Sequence, residues 1–488
     1  MTMPRKLLIV SNRLPVVVER EKHGGEIRVE AASGGLITAL GSVLKGKETV
    51  WIGWPGPGVQ EEESQPLLSE AFGGDCRLVP VFLTPEEQSG FYCGFSNAVV
   101  WPLFHDLQSR CNFNPEYWTA YRKVNAKFAH TIIQHDSGAE CIWIHDYHLI
   151  LTAQELRNKG VGTTLAYFHH IPFPSPDIFG KLPWRREMLE AMLSFDVLGF
   201  QTKSDLHNFV RCLRHYLVGK IRVSSAGERV LVEARGARVV AGAFPISIDF
   251  EEFSQEAASP QVNQMAESLR TNLQAKHCIL GVDRLDYTKG IPERLRAFEL
   301  LLKKSRELHR RVAFIQIVVP SREDIPKYQE LKLEIEQLVT SINGRYTQPG
   351  WVPIQYIYRQ LGRRELLAYY RAADIALVTP LKDGMNLVAK EFCAAQTSNE
   401  GVLVLSEFAG AAAQLKSGAL IVNPNDLEGI GDAIRRAFML TQHERTYRMK
   451  TLRRFVARHD VHAWVQSFWK AIETQRDLAS PLMQAVGA

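Results

Sequence analysis

The stretch ADIALVTPLKDGMNLVAKEFCAAQ, residues 373–396, decides how the chain folds. Its first part, ADIALVT, is short, apolar and β-branched, which reads as a buried strand. After Gly384 the apolar spacing becomes helical. A strand that passes through a tight turn straight into a helix is the β–α step of a parallel sheet. Gly384 permits the turn. Met385, Asn386 and Leu387 then supply amides at a helix N-terminus, where donors and dipole favour a diphosphate. Lys390 and Glu391 fall on the next turn. A carboxylate there can accept two hydroxyl hydrogen bonds from a ribose. A helix whose Lys390 and Glu391 face water is the alternative, and the stretch alone leaves both open.

The same alternation runs outward along the chain. KLLIV (6–10), ETVWIGW (48–54), CRLVPVFL (76–83), CIWIHDY (141–147), TLAYFHH (164–170), DVLGFQ (196–201), RVVAGAFP (238–245), HCILGVDR (277–284), VAFIQIVVP (312–320) and GVLVLSE (401–407) read as further strands. Helical patterns such as NPEYWTAYRKVNAKFAHTIIQ (114–134) and IPERLRAFELLLKKS (291–305) lie between many of them. Apolar strands alternating with helices argue for parallel sheets covered on both faces. One sheet is too few for this many strands. The expected fold class is therefore α/β, with two doubly wound, Rossmann-like parallel-sheet domains facing a cleft. The polar segment FEEFSQEAASPQVNQMAESL (250–269) marks the break. The expected domains are 1–248 and 249–460. Residues 461–488 are expected to form a C-terminal helix packing back toward the first domain, with Trp464, Phe468 and Trp469 available for burial.

Composition narrows the function classes. The 488 residues are 45% hydrophobic and 23% charged, the balance of an ordinary globular chain. The formal charge of +5 is small for this length, and the basic doublets are scattered, which argues against nucleic acid. The seven cysteines show no CxxC and no metal spacing, which suits reduced thiols in a cytoplasmic protein and no essential metal. No apolar run approaches the roughly 18 residues that span a membrane. LLIV near the N-terminus is too short for a signal segment.

In open parallel sheets, ligands bind beyond the carboxyl ends of strands. Those ends carry Ser11-Asn12-Arg13, His145-Asp146-Tyr147-His148, His169-His170, Asp283-Arg284 through Lys289-Gly290, Ser321-Arg322 and Lys382-Asp383-Gly384. One such end is more often a helix cap than a site; six with Arg, Lys, His or Asp form a pattern. Two arginines and a lysine in the second half suit an anionic ligand, since Arg binds phosphate bidentately and Lys as a point charge. No GxxxxGK[ST] loop is present, and no GxGxxG follows the first strand, which argues against P-loop and dinucleotide sites. Gly34-Gly35 precede a helical pattern and suit either close backbone approach to a ligand or a plain turn.

Taken together, SNRLPV (11–16), SGGL (33–36), FSNAVVWPLFH (95–105), WIHDYHL (143–149), HHIPFPSPDIF (169–179), LGFQT (198–202), VDRLDYTKGIPERL (282–295), PSRED (320–324), INGRY (342–346) and TPLKDGMNLVAKEF (379–392) carry a resemblance. VLVLSEFAGAA (402–412) and LIVNPND (420–426) add to it. The chain resembles trehalose-6-phosphate synthases, retaining glycosyltransferases of the two-Rossmann GT-B fold. The resemblance implies transfer of glucose from UDP-glucose, or another nucleoside-diphosphate glucose, to glucose 6-phosphate. It implies that Arg284 and Lys289 neutralise the donor diphosphate and that Glu391 holds the ribose. Asp383 and the backbone from Gly384 through Met385, Asn386 and Leu387 to Val388 match the loop around the donor, and Gly35 a loop closing over it. Arg13, Tyr92, Trp101 and Arg322 match the set that binds the acceptor's phosphate. Asp146 matches a carboxylate on sugar hydroxyls, and His170 the histidine beside the anomeric carbon. His169 is expected to be structural. Further implications are a front-face mechanism assisted by the leaving diphosphate, no cofactor, no membrane, and a separate phosphatase for the product. A homo-oligomer is compatible with it. VVVEREKHGGEIRVEAA (16–32) departs from the family's shorter members and reads as a hairpin around Gly24-Gly25. The competing readings are a sister enzyme using glycerol 3-phosphate and a catalytically silent sugar-phosphate sensor. The donor residues argue against the second.

Overall fold

A computed structural model describes residues 6–20, 27–31, 39–41, 48–57, 76–136, 138–219, 221–226, 229–234, 236–323 and 325–479. The chain divides into two compact units: Met1–Ile246 together with His462–Ala488, and Ser247–Val461.

The first unit holds strands β1 (Lys6–Arg13), β2 (Val16–Arg20), β3 (Ile27–Ala31), β4 (Glu48–Trp54), β5 (Cys76–Pro80), β6 (Cys141–His145), β7 (Thr164–Phe168), β8 (Val197–Phe200), β9 (Ile221–Ala226), β10 (Arg229–Ala234) and β11 (Ala237–Ala243). Nine of them form one sheet in the order β5-β4-β1-β6-β7-β8-β11-β10-β9. Pairing is parallel from β5 to β11 and antiparallel through β10 and β9. β2 and β3 pair separately as an antiparallel ribbon, Val16 opposite Ala31. The Gly24-Gly25 turn expected to join them lies outside the described residues.

The central strands are buried along their length because helices cover both faces: all five residues of β6 are buried. The helix Val461–Ala479 belongs to this unit. Its Phe468 stacks on Trp143 at 4.9 Å, and its Trp464 meets Phe168 edge-on at 5.1 Å.

The second unit holds β12 (His277–Arg284), β13 (Val312–Val319), β14 (Ile354–Tyr358), β15 (Ile375–Val378), β16 (Val402–Ser406) and β17 (Leu420–Val422). They form a six-stranded sheet, β14-β13-β12-β15-β16-β17, parallel throughout. Counted within the sheet this is 3-2-1-4-5-6, the doubly wound order. Setting aside the β2–β3 ribbon, the first six strands of the large sheet follow the same order. Each unit therefore reverses winding once, between β1 and β6 and between β12 and β15. Diverging helices open a crevice at such a reversal, beyond the carboxyl ends of the strands.

Candidate active site

In the six-stranded unit, the reversal point is built by two loops that grip each other. β12 ends on buried Asp283 and exposed Arg284. Asp286 then caps a single turn, Tyr287–Lys289, its Oδ1 accepting from the Thr288 amide at 3.0 Å and hydroxyl at 2.9 Å. Gly290 follows at φ +64, and a Cβ there would collide with the Thr379 carbonyl. Only glycine lets the loop after β12 lie so close to the chain leaving β15. Leu381 N donates to Thr288 O at 2.8 Å, tying the loops.

Below them sits Arg294, fully buried. It pairs with Asp283 at 2.6 Å and donates to Gln316 Oε1 at 3.1 Å, Thr379 Oγ1 at 3.0 Å and Lys289 O at 3.2 Å. One guanidinium thus ties β12, β13 and both loops. Above them, Lys289 Nζ lies 2.6 Å from Asp383 Oδ2, and Asn386 Nδ2 donates to the same oxygen at 3.1 Å. Asn386 stands at φ +78, and its Oδ1 accepts from Ala389 N at 3.1 Å, capping the helix Leu387–Ala395. The loop from Gly384 is also fixed from behind: a Cβ on Gly410 would collide with the Gly384 carbonyl.

The electrostatics at this reversal are cationic. Arg322, at φ +53, reaches Asp286 Oδ2 at 3.3 Å and bonds the Tyr328 hydroxyl. Burial alone would raise the Asp286 carboxyl; Arg322, Lys289 and Arg284 together outweigh it and hold the group below the usual carboxylate range. Arg284, Lys289 and Arg322 are thereby brought around one buried carboxylate. Glu391 accepts a hydrogen bond from Tyr370 Oη at 2.8 Å, and burial raises its carboxyl above the ordinary value.

Lys390 does not face water, as the solvated-helix alternative required; it is buried, and burial pushes its pKa down to about 7. A lysine whose folded pKa falls below its unfolded one costs stability while charged, and that cost is relieved as pH rises from the folded toward the unfolded pKa. Lys390→Met is therefore expected to raise the thermal midpoint most at pH 6.5 and least at pH 9.5. An equal gap at both pH values in paired melts would contradict this.

In the first unit, β1 ends on Ser11-Asn12-Arg13, with Trp51 Nε1 donating to Ser11 Oγ at 2.8 Å and Ser11 Oγ to Arg13 O at 2.7 Å. The Arg13 guanidinium lies over the Trp54 ring, 4.6 Å from its centroid. Tyr92 meets Trp54 edge-on at 5.6 Å and stacks on His148 at 6.1 Å. His148 packs on Tyr147, which packs on buried Trp101 at 5.8 Å. Tyr92 lies within a wide helix with π-type bonding, Gln88–Val100, and Trp101 directly follows it. Insertions of this kind occur often at functional sites.

Asp146 follows β6 at φ +74, and its Oδ1 accepts from the His170 amide at 3.2 Å. His170 Nε2 lies 3.1 Å from His145 Nδ1. Burial, then the neighbouring His169, pushes the His170 pKa down to about 3, so the ring is neutral at neutral pH. His169 is fully buried between Phe104, Phe173 and Phe200, hydrogen-bonded to Tyr167 Oη at 2.9 Å. That is a structural place.

The candidate residues thus fall into two groups. Arg284, Lys289, Asp383 through Val388, Glu391 and Arg322 stand at the β12/β15 reversal. Arg13, Tyr92, Trp101, Asp146 and His170 stand at the carboxyl ends of the first sheet. Gly35 lies outside the described residues. Sequence reasoning missed Trp54 and Arg294. Register with β1 was the available signal for Trp54, which pairs directly with Arg13. Among the described residues no group of three or more His, Cys, Asp or Glu is placed to hold a metal, and no helix is long and apolar enough to cross a membrane.

The model of glycosyltransferase family 20 matches residues 5–474. Trehalose-6-phosphate synthase of Mycobacterium avium (strain 104) is 40% identical over 474 residues, covering 95% of this chain and 94% of that one. The bifunctional trehalose-6-phosphate synthase/phosphatase of Thermoproteus tenax is 41% identical over 477 residues, 95% of this chain and 63% of that one. The alpha,alpha-trehalose-phosphate synthase (UDP-forming) of Burkholderia xenovorans, solved in complex with glucose-6-phosphate, superposes with TM-score 0.86 at 36% identity over 96% of this chain and 100% of that one. An E. coli structure bound with UDP-2-fluoro glucose gives TM-score 0.85 at 36% identity over 96% and 98%. The family model covers nearly the whole chain, a 40% identical relative is covered to 94% of its length, and the fold superposes on a solved trehalose-phosphate synthase; the chain belongs to glycosyltransferase family 20, the family of the trehalose-6-phosphate synthases, and is a glycosyltransferase of the GT-B fold.

Proposed function

We propose that the chain transfers glucose from UDP-glucose to glucose 6-phosphate with retention, releasing trehalose 6-phosphate and UDP. The observation that carries this reading is the meeting of Lys289 and the capped N-terminus of helix Leu387–Ala395 at Asp383. An ammonium, helix amides and a carboxylate able to accept from sugar hydroxyls, brought together by two loops, match a diphosphate joined to a hexose. Lys289 gives Asp383 one of its three donors and keeps two for phosphate oxygens. Glu391, one turn along the helix, is the proposed ribose partner.

The chemistry follows from where charge develops. The bond from the donor's anomeric carbon to the diphosphate breaks, leaving positive charge on the sugar and negative charge on the leaving oxygen. Arg284, Lys289 and the helix amides stabilise that oxygen in place, which is preorganised electrostatic catalysis. The acceptor's anomeric hydroxyl attacks from the same face and passes its proton to the departing phosphate oxygen, so configuration is retained without a protein nucleophile. Asp146 is proposed to bind sugar hydroxyls on the acceptor side, and His170 to stand beside the reacting anomeric carbon of the donor. Arg13, Tyr92, Trp101 and Arg322 are proposed to bind the acceptor, and Gly35 to close over the donor. No metal or cofactor enters this scheme. The same reading places the enzyme in the cytoplasm, with a separate phosphatase acting on its product.

The test is UDP release by purified protein supplied with UDP-glucose and either glucose 6-phosphate or glycerol 3-phosphate. Turnover with glucose 6-phosphate alone is expected, falling roughly 10²-fold in Arg322→Ala as one anion-binding group is lost. Turnover with glycerol 3-phosphate instead would move the chain to the sister reaction. Tight glucose 6-phosphate binding with no turnover on any nucleotide donor would make it a sensor.

A further inference from the structure

Two imidazoles meet where β6 and β7 end, and only His170 has been given a role. Nδ1 of His145 and Nε2 of His170 stand 3.1 Å apart, so in a neutral pair one donates and the other accepts. The far side of His145 decides which. Its Nε2 is buried and has no hydrogen-bond partner among the described residues. The ring is fully buried, walled by Trp143 at 4.6 Å and Phe168 at 6.5 Å. A buried N–H with no acceptor is rarer in proteins than an under-used acceptor. The proton of His145 therefore belongs on Nδ1, directed at His170. His170 must then offer its Nε2 lone pair and carry its own proton on Nδ1.

Its main chain is held as well: the amide donates to Asp146 Oδ1 at 3.2 Å, and the carbonyl accepts from Gln201 Nε2 at 3.5 Å. Gln201 is anchored in turn, its Oε1 accepting from Ile246 N at 3.0 Å. Burial lowers both rings' proton affinity, which keeps the pair neutral.

We propose that His145 is a positioning residue that fixes the tautomer of His170, so that His170 meets the sugar as a neutral Nδ1–H donor. This rests on the reading above, in which His170 faces the donor sugar. The consequence is chemical. His170 can hydrogen-bond a sugar oxygen, but it cannot take a proton through Nδ1 or attack carbon with it. The proton of the acceptor hydroxyl must leave by another route, and the departing phosphate oxygen is the one the reaction supplies.

The direct test is the ring ¹⁵N spectrum of the full-length protein labelled at histidine, with the His170 signals assigned by their loss in His170→Asn. Protonated Nδ1 and bare Nε2 on His170 are expected. A protonated Nε2 would overturn the proposal, and this readout stands whether or not the enzyme turns over, so failure of the functional reading is seen separately. Two variants give the kinetic arm. His145→Asn places an amide nitrogen where Nδ1 lies and can donate; His145→Leu fills the space and cannot. The Asn variant is expected to keep most of kcat, and the Leu variant to lose roughly tenfold, about one hydrogen bond's worth, with KM for glucose 6-phosphate unchanged. Equal losses in both variants, matched by equal drops in Tm, would reduce His145 to a structural residue.

Discussion

Replacing Arg294 by Met is expected to cost the six-stranded unit about 3–5 kcal/mol, because it strands a buried carboxylate. Asp283 is buried and pairs with Arg294 at 2.6 Å. Burial already raises the Asp283 carboxyl above its ordinary value, with Arg294 opposing the shift. Without the guanidinium the shift grows. A carboxyl whose folded pKa is raised destabilises the fold at pH values above that pKa, so the loss should be larger at pH 8 than at pH 5. Urea unfolding at the two pH values measures this. The double change Asp283→Leu with Arg294→Met removes both charges and should recover most of the stability, as apolar replacement of buried pairs commonly does. Turnover should not recover with it, since the Lys289 carbonyl and Thr379 hydroxyl, bonded to Arg294 at 3.2 and 3.0 Å, stay untied. A single variant within 1 kcal/mol of the parent, on the order of an ordinary surface change, would refute the buried-charge account.

Lys289→Ala is expected to lower kcat by roughly 10²–10³-fold, the usual loss when one preorganised donor to a developing anion is removed. The side chain is mostly buried and its ammonium sits 2.6 Å from Asp383. Asp383 keeps its bond from Asn386 at 3.1 Å, so the loop and helix cap survive the change. The fold should therefore melt near the parent's midpoint while catalysis collapses. Lys289→Arg should restore little, since a planar fork cannot occupy the place of a compact point charge. The decisive measurement is single-turnover rate beside UDP affinity. A loss of UDP binding with an unchanged chemical step would mean that Lys289 binds the nucleotide without stabilising its departure.

Much of this architecture could be read from the sequence because parallel strands are buried on both faces and stand out as apolar runs. β1, β4, β6, β7, β12, β13, β15 and β16 were all found that way. What was missed lies where that signal fades. β9, with the sequence IRVSSA, and β10 form the antiparallel edge of the large sheet and carry polar residues. β14, IQYIY, is only partly buried. Gln88–Val100 escaped as a helix because Gly90, Gly94 and Asn97 interrupt its pattern. The carboxyl-end rule pointed to Arg13, Asp146, His170, Arg284, Lys289 and Asp383 before any coordinates, since it depends only on where apolar runs stop. It could not point to Arg294, which sits within a helix and reads in sequence as one more solvated charge. Nor could it distinguish Lys390 facing water from Lys390 buried, because helical spacing does not say how much of a helix its neighbours cover.

The place of the last helix sets the order of assembly during synthesis. Trp143, Phe168 and Phe244 of the first unit are covered by Trp464 and Phe468, more than two hundred residues later in the chain. The ribosome therefore delivers the whole six-stranded unit before the nine-stranded one has its final piece. The later-made unit is an insertion within the earlier one, and it can complete its own core first. Until residues 461–479 emerge, the nascent first unit carries an uncovered aromatic face, and a chain cut short at 460 would keep it for good.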